Sequence, residues 1–180
     1  VGIFTALARI EGRAVGLLAN NPVHLGGAID ADAADKAARF MQLCDAFGLP
    51  LISLVDTPGF MVGPEIETQA QVRHVSRMFV VGAQLSVPLL AIVLRKGYGL
   101  GAMAMTGGGF HAPLATAAWP SGEFGGMGLE GAVRLGYRPQ DDSEAYAEDV
   151  LRREKPAADL KAEQYQGGSF VSVEIGGDPA

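Results

Sequence analysis

Leu89-Leu90-Ala91-Ile92-Val93-Leu94, then Arg95-Lys96, Gly97-Tyr98-Gly99-Leu100-Gly101 and Ala102-Met103-Ala104-Met105, reads as a buried strand, a glycine-rich turn and a helix. The first backbone amides of such a helix lie free, so the turn can hold a phosphate or a developing oxyanion without a charged side chain. Working upstream, Pro50 opens a second apolar run, Leu51–Val55, which reads as another buried parallel strand. Asp56-Thr57-Pro58-Gly59-Phe60 reads as the turn at its end, followed by one long helix from about Pro64 to Leu85 that Pro88 stops. Before it, Asp30 or Asp32 caps a helix with Asp35 in its first turn, and Ala37, Phe40, Met41, Cys44 and Phe47 follow helical spacing to Gly48. The chain opens with Ile3–Ile10 and Ala14–Ala19, strand-like runs joined by Glu11-Gly12-Arg13 as a hairpin. Downstream, Leu114–Trp119 reads as a fourth buried run, with helices expected around Leu129–Leu135 and Ser143–Glu154. A hairpin followed by strand–helix alternation is an α/β fold, whose ligands tend to sit at the carboxyl ends of the parallel strands. Three glycine-bearing loops follow strands here, around Gly26-Gly27, Gly59 and Gly99–Gly101.

The 180 residues suffice for one well-cored domain, with residues 1–138 as its core and 139–180 as a charged helix and tail of the same domain. Apolar residues make up 48% of the chain, which excludes a disordered protein. No apolar run approaches the ~20 residues that span a bilayer, so no membrane partner is expected. A net charge of −6 without a basic run argues against nucleic acid. No charged-then-apolar leader opens the sequence, so the chain reads as soluble and cytoplasmic. An unsupported strand directly after Val1 reads as part of something larger, and such a part should expose an apolar patch.

Among candidate chemistries, Gly99-Leu100-Gly101-Ala102-Met103-Ala104 formally matches a dinucleotide-binding pattern, but the next strand ends at Trp119-Pro120 with no carboxylate at its tip. His24, His74 and His111 have no carboxylate or cysteine at metal-ligand spacing, so no metal is expected and a structural role is their default. Asp56 is either an acid or base or a turn-capping group. Gly-x-Ser-x-Gly is absent, so a nucleophile elbow is unsupported. Cys44 lies among apolar helix positions without a nearby cation and reads as a core thiol. What remains is a site made chiefly of backbone amides, suited to a carbonyl oxygen that gains charge.

An ordered series of blocks sharpens this. It runs through Asn20-Asn21-Pro22, Gly26-Gly27-Ala28-Ile29-Asp30, Ala38-Arg39-Phe40, Cys44-Asp45-Ala46-Phe47, Pro50-Leu51-Ile52 and Val55-Asp56-Thr57-Pro58-Gly59-Phe60. It continues with Arg73-His74, Val87-Pro88, Arg95-Lys96-Gly97-Tyr98-Gly99, Ala118-Trp119-Pro120 and Met127-Gly128-x-x-Gly131-Ala132-Val133. Together they resemble the C-terminal half of the carboxyltransferase (beta) subunit of biotin-dependent acyl-CoA carboxylases of the acetyl-/propionyl-CoA type. The resemblance implies a crotonase-like fold of stacked ββα units. It also implies a biotin-side domain that works only with a missing N-terminal carboxyltransferase domain, other copies of the subunit, and the biotin carboxylase and biotin carrier. By that resemblance, carboxybiotin on the carrier yields CO2, the ureido anion is held by backbone amides, and the enolate of an acyl-CoA attacks the CO2. Carried over by position, the donors are the amides of Leu100 and Gly101, with Tyr98, Gly99, Ala102, Met103, Gly59 and Phe60 around biotin and substrate. Leu100 stands where many members have glycine, Val75 where a small residue is usual, and Met103 where some members carry an acidic residue that influences acyl choice. A biotin-dependent decarboxylase, a catalytically idle assembly domain and a nucleotide-binding module are the rival readings.

Overall fold

The computed structural model describes residues 1–128 and 170–172. The helices expected over 129–135 and 143–154 lie outside the described residues. Strands β1 (Ile3–Ile10) and β2 (Arg13–Asn20) form the expected antiparallel hairpin. Its turn is Glu11-Gly12, both at positive φ (49° and 80°), the geometry that matches strand twist in a two-residue hairpin. Then come α1 (Ala31–Ala46), β3 (Leu51–Thr57), α2 (Pro64–Glu67), α3 (Gln71–Gln84), β4 (Leu89–Tyr98), α4 (Gly99–Met105), β5 (Ala115–Ala118), β6 (Glu123–Gly125) and β7 (Phe170–Ser172).

The sheet runs β1-β2-β3-β4-β5-β7, parallel from β2 onward, with β6 paired to the far end of β4. Strands added in chain order with right-handed crossovers send their helices to one face. That face carries Gly16, Leu18, Leu51, Val55, Leu89 and Val93, all buried. Helix α1 lies against it through small residues, Ala33, Ala34, Ala37 and Ala38, so it approaches closely. A Cβ at Gly16 would come within 2.3 Å of Cys44 Sγ. Burial pushes the Cys44 thiol above its ordinary value, in keeping with a core role. The other face of the sheet bears Phe4, Ala6, Leu17, Ile52, Leu54 and Ile92, half-exposed to exposed. It is the apolar surface the sequence led one to expect.

Four expectations need correction. The single helix from Pro64 to Leu85 is two, α2 and α3, broken at Ala70, which sits in the left-handed region at φ 54°. The buried Gln71 side chain donates to the Ile29 carbonyl at 2.9 Å, anchoring the first turn of α3 inward and independently of α2. Of the two candidate caps it is Asp30 that caps α1, accepting from the Ala33 N–H, but Asp35, expected in the first turn, lies one turn further in, and Asp32 takes the first-turn place. The strand expected to stop at Leu94 continues to Tyr98, because Lys96, Gly97 and Tyr98 pair with β6. The fourth apolar run is only half-buried: β5 covers Ala115–Ala118, and Leu114 and Trp119 at its ends are exposed.

The fold also supplies histidine partners that spacing hid. His24 Nε2 lies 2.9 Å from Asp30, and His74 Nδ1 lies 2.9 Å from Asp35, which also accepts from Arg77 at 2.6 Å. Burial alone would raise the Asp30 and Asp35 carboxyls. The hydrogen bonds and charges of His24, and of His74 and Arg77, outweigh it and hold both below the ordinary 3.8. Asp45 is lowered too, by hydrogen bonds from the Ser86 N–H and hydroxyl and the Val87 N–H, which tie α1 to the link before β4. A carboxyl lowered in the folded state binds protons more readily when unfolded, so its stabilisation is complete above about pH 4 and is lost as pH falls through the folded value. The melting temperature is therefore expected to fall steeply below about pH 4, and Asp35→Asn to flatten part of that fall. An acid titration of Tm with an unchanged slope in the variant would discount the Asp35 cluster.

Candidate active site

The three glycine-bearing loops meet at the carboxyl ends of β2, β3 and β4. The Ile29 N–H donates to the Gly59 carbonyl and the Met61 N–H to the Ile29 carbonyl, each at 3.0 Å, laying the first loop along the second. Gly27, at φ 93°, has its Cβ position 2.3 Å from the Asp56 carbonyl oxygen. Gly101 has its Cβ position 2.6 Å from the Gly59 carbonyl carbon, and Gly99 its own 2.9 Å from the Gly126 oxygen. The β4–α4 turn is thus held between two other backbones, and only glycine permits either approach.

Side chains behind the turn hold it in place. The fully buried Thr57 hydroxyl donates to the Gly59 carbonyl and accepts from the Gly59 N–H, both at 3.1 Å. Asp56 accepts from Arg95 Nε at 3.3 Å, Arg95 Nη2 at 3.1 Å and the Lys96 N–H at 3.2 Å, while its own N–H donates to Asn20 Oδ1. Its carboxylate thus does not cap the turn that follows it but fastens the end of β3 to β4, beside the irregular register between the two strands.

A cavity of about 620 Å³ opens beside the turn, lined by Gly99, Met103, Phe110, His111, Phe124 and Gly126 among others. Gly99 and Met103 are one helical turn apart on α4 and share its outward side. Phe110 and Phe124 meet edge to face at 5.2 Å and form an apolar wall. Leu100 is exposed at the turn, and Gly101 is packed on Gly59. Four positions expected around the ligand, Gly59, Phe60, Tyr98 and Ala102, do not line the cavity. Ala102 is fully buried because it shares the inward side of α4 with Met105, and Phe60 packs edge to face on Phe79 behind the turn. Tyr98 is buried as well, its hydroxyl donating to Glu123. Phe110, His111 and Phe124 were missed, since they come from a loop and a short strand with no periodic signal of their own. Among the described residues, no three His, Cys, Asp or Glu side chains gather as a metal site requires, and no helix is long and apolar enough to cross a membrane.

Residues 2–171 match the sequence profile of the carboxyl transferase domain. The methylmalonyl-CoA carboxyltransferase 12S subunit of Propionibacterium freudenreichii subsp. shermanii is 41% identical over 153 residues, 85% of this chain and 29% of that protein. The biotin-dependent long chain acyl-coenzyme A carboxylase beta4 subunit of Mycobacterium tuberculosis is 39% identical over 84% of this chain and 29% of its own length. The chain therefore spans less than a third of either relative. Among solved structures, a single-chain, multi-domain long-chain acyl-CoA carboxylase superimposes with a TM-score of 0.83 at 59% identity, over 94% of this chain and 17% of that one. The transcarboxylase 12S structure with methylmalonyl-CoA and methylmalonic acid bound gives 0.81 at 36% identity, over 95% of this chain and 34% of that one. The chain shares the crotonase-like fold of these carboxyltransferases. By sequence and by fold, the chain belongs to the carboxyl transferase domain family.

Proposed function

We propose that this chain is the biotin-side half of an acyl-CoA carboxyltransferase, which moves CO2 from carboxybiotin to the α-carbon of an acyl-CoA through an enolate. The observation that carries the reading is the β4–α4 turn, held against Gly59 and Gly126 at the mouth of an apolar cavity. Its glycine lining fits a flat ureido ring: a Cβ at Gly108 or Gly126 would meet open space, so the lining backbone is left uncovered for a ligand. Gly99, Met103 and Phe124 would hold the ring, and carboxybiotin, carried by a partner protein, supplies the CO2 and the base for the α-proton. The chain's own part is electrostatic. The N–H groups of Leu100 and Gly101 stabilise the oxygen that gains charge, one such donor being worth about 3 kcal/mol. Backbone donors do not depend on side-chain identity, so leucine at position 100 is compatible with the role.

In this reading residues 1–138 are the catalytic core and 139–180 an appended tail of one domain. The half-exposed apolar face of the sheet is available to the rest of a cytoplasmic assembly: an N-terminal carboxyltransferase domain, further copies, and the biotin carboxylase and carrier. The relatives support the substrate class, since one holds methylmalonyl-CoA and is described as a hexamer, and another is a long-chain acyl-CoA carboxylase.

The test is carboxyl transfer from carboxybiotin to acetyl-, propionyl- and longer acyl-CoAs by the assembled enzyme. Turnover with at least one acyl-CoA is expected, and the preferred length names the substrate. No transfer by a verified assembly supplied with competent carboxybiotin would reduce the chain to an assembly domain.

A further inference from the structure

We infer that Tyr98 and Glu123 form a positioning pair that sets where the Leu100 and Gly101 amides point; this rests on the function proposed above. Tyr98 is the last residue of β4 and the cap of α4. Its backbone is extended (φ −107°, ψ 139°), and the next residue, Gly99, swings to φ 57°. The direction in which the turn leaves the sheet is therefore decided at Tyr98.

Its main chain is held to β6 by a ladder of only three parallel pairs, Lys96 with Glu123, Gly97 with Phe124 and Tyr98 with Gly125. So short a ladder is weak alone. The Tyr98 hydroxyl reaches back along β6 and donates to the Glu123 carboxylate, pinning side chain to strand two residues before their main-chain pairing. The ring lies under Gly125 and Gly128, whose Cβ positions are 3.9 and 3.6 Å from its edge. Just beyond Gly125, the Gly126 oxygen sits 2.9 Å from the Gly99 Cβ position. Ring, strand and turn are thus one mechanical unit: if β6 slides along β4, Gly126 is carried across Gly99 and the amides that follow it. Burial first, and the Glu123 carboxylate second, push the Tyr98 phenol up to about 12, so the hydroxyl remains a donor throughout the range in which such an enzyme is assayed.

In the assembled enzyme, Tyr98→Phe keeps the ring and removes the bond. It is expected to lower kcat about tenfold, with KM for acyl-CoA within about twofold. Glu123→Ala should match it, Glu123→Gln, which keeps an acceptor, should recover part of the loss, and the double variant Tyr98→Phe/Glu123→Ala should be no slower than either single one. Amide hydrogen exchange at Leu100 and Gly101 reads the pair without turnover, and Tyr98→Phe should speed it about tenfold. Unchanged kcat and exchange in Tyr98→Phe, or losses that multiply in the double variant, would overturn the inference. A lower melting temperature with kcat and exchange intact would make the bond merely structural and overturn it equally. An inactive wild-type assembly would instead sink the proposed function, while the exchange measurement still decides for or against the pair.

Discussion

Gly101→Ala is expected to cost about two orders of magnitude in carboxyl transfer while the chain stays folded. The added Cβ would stand 2.6 and 2.7 Å from the Gly59 carbonyl carbon and Cα, distances no real Cβ tolerates from backbone, and 3.0 Å from its oxygen. Gly59 cannot give way readily, since Thr57 grips both its N–H and its carbonyl and the Ile29 N–H holds that carbonyl from the other side. The start of α4 must move instead, and it carries the two proposed donors. A displacement of about 1 Å is enough for a loss of this size, because the donors act only where charge develops. The loss should fall on kcat more than on KM for acyl-CoA, as for an interaction made in the transition state. Wild-type turnover in a folded Gly101→Ala enzyme would remove the turn from the mechanism.

The second large effect is on stability. Gly27→Ala should destabilise the chain by about 3 kcal/mol, of which about 1–2 comes from forcing a side chain to positive φ and the rest from overpacking. The overpacking is against the Asp56 carbonyl oxygen, 2.3 Å from the Gly27 Cβ position, in a strand end that Asn20 and Arg95 hold fixed. Gly26 provides the internal comparison. It also has positive φ (63°), but a Cβ there meets nothing within 4 Å, so Gly26→Ala should cost only the conformational part, about 1 kcal/mol. Urea titrations that shift the two midpoints equally would show that the loop is free to move off β3.

The strands were legible where apolar runs are long: Leu51–Val55 and Leu89–Leu94 sit in the middle of the sheet, and Glu11-Gly12-Arg13 announced the hairpin, although Arg13 already belongs to β2. The end of β4 was not, because Arg95, Lys96 and Gly97 have no strand character of their own and owe their extension to tertiary pairing, Lys96 and Gly97 with β6 and Gly97 also with Thr57 of β3. Ala70 carries no helix-breaking signal, and the break before α3 arises from the Gln71 anchor to a carbonyl 42 positions away in sequence. In the site, Gly59, Gly99 and Gly101 could be picked out because glycine after a strand marks a close approach. The cavity wall could not, nor could the pairing of His74 with Asp35, 39 positions apart, since both depend on contacts made only after the chain has folded back.

The strand order has a bearing on how such a domain arises. From β1 to β5, each strand of the main sheet is laid beside the one that preceded it there. Closing each crossover brings together chain segments already near in sequence, so the loop entropy is surrendered in short steps rather than in one long search. Assembly can then proceed by accretion from the hairpin outward. Evolution can lengthen or duplicate such an array at its edge without rethreading what is already built, much as in a solenoid.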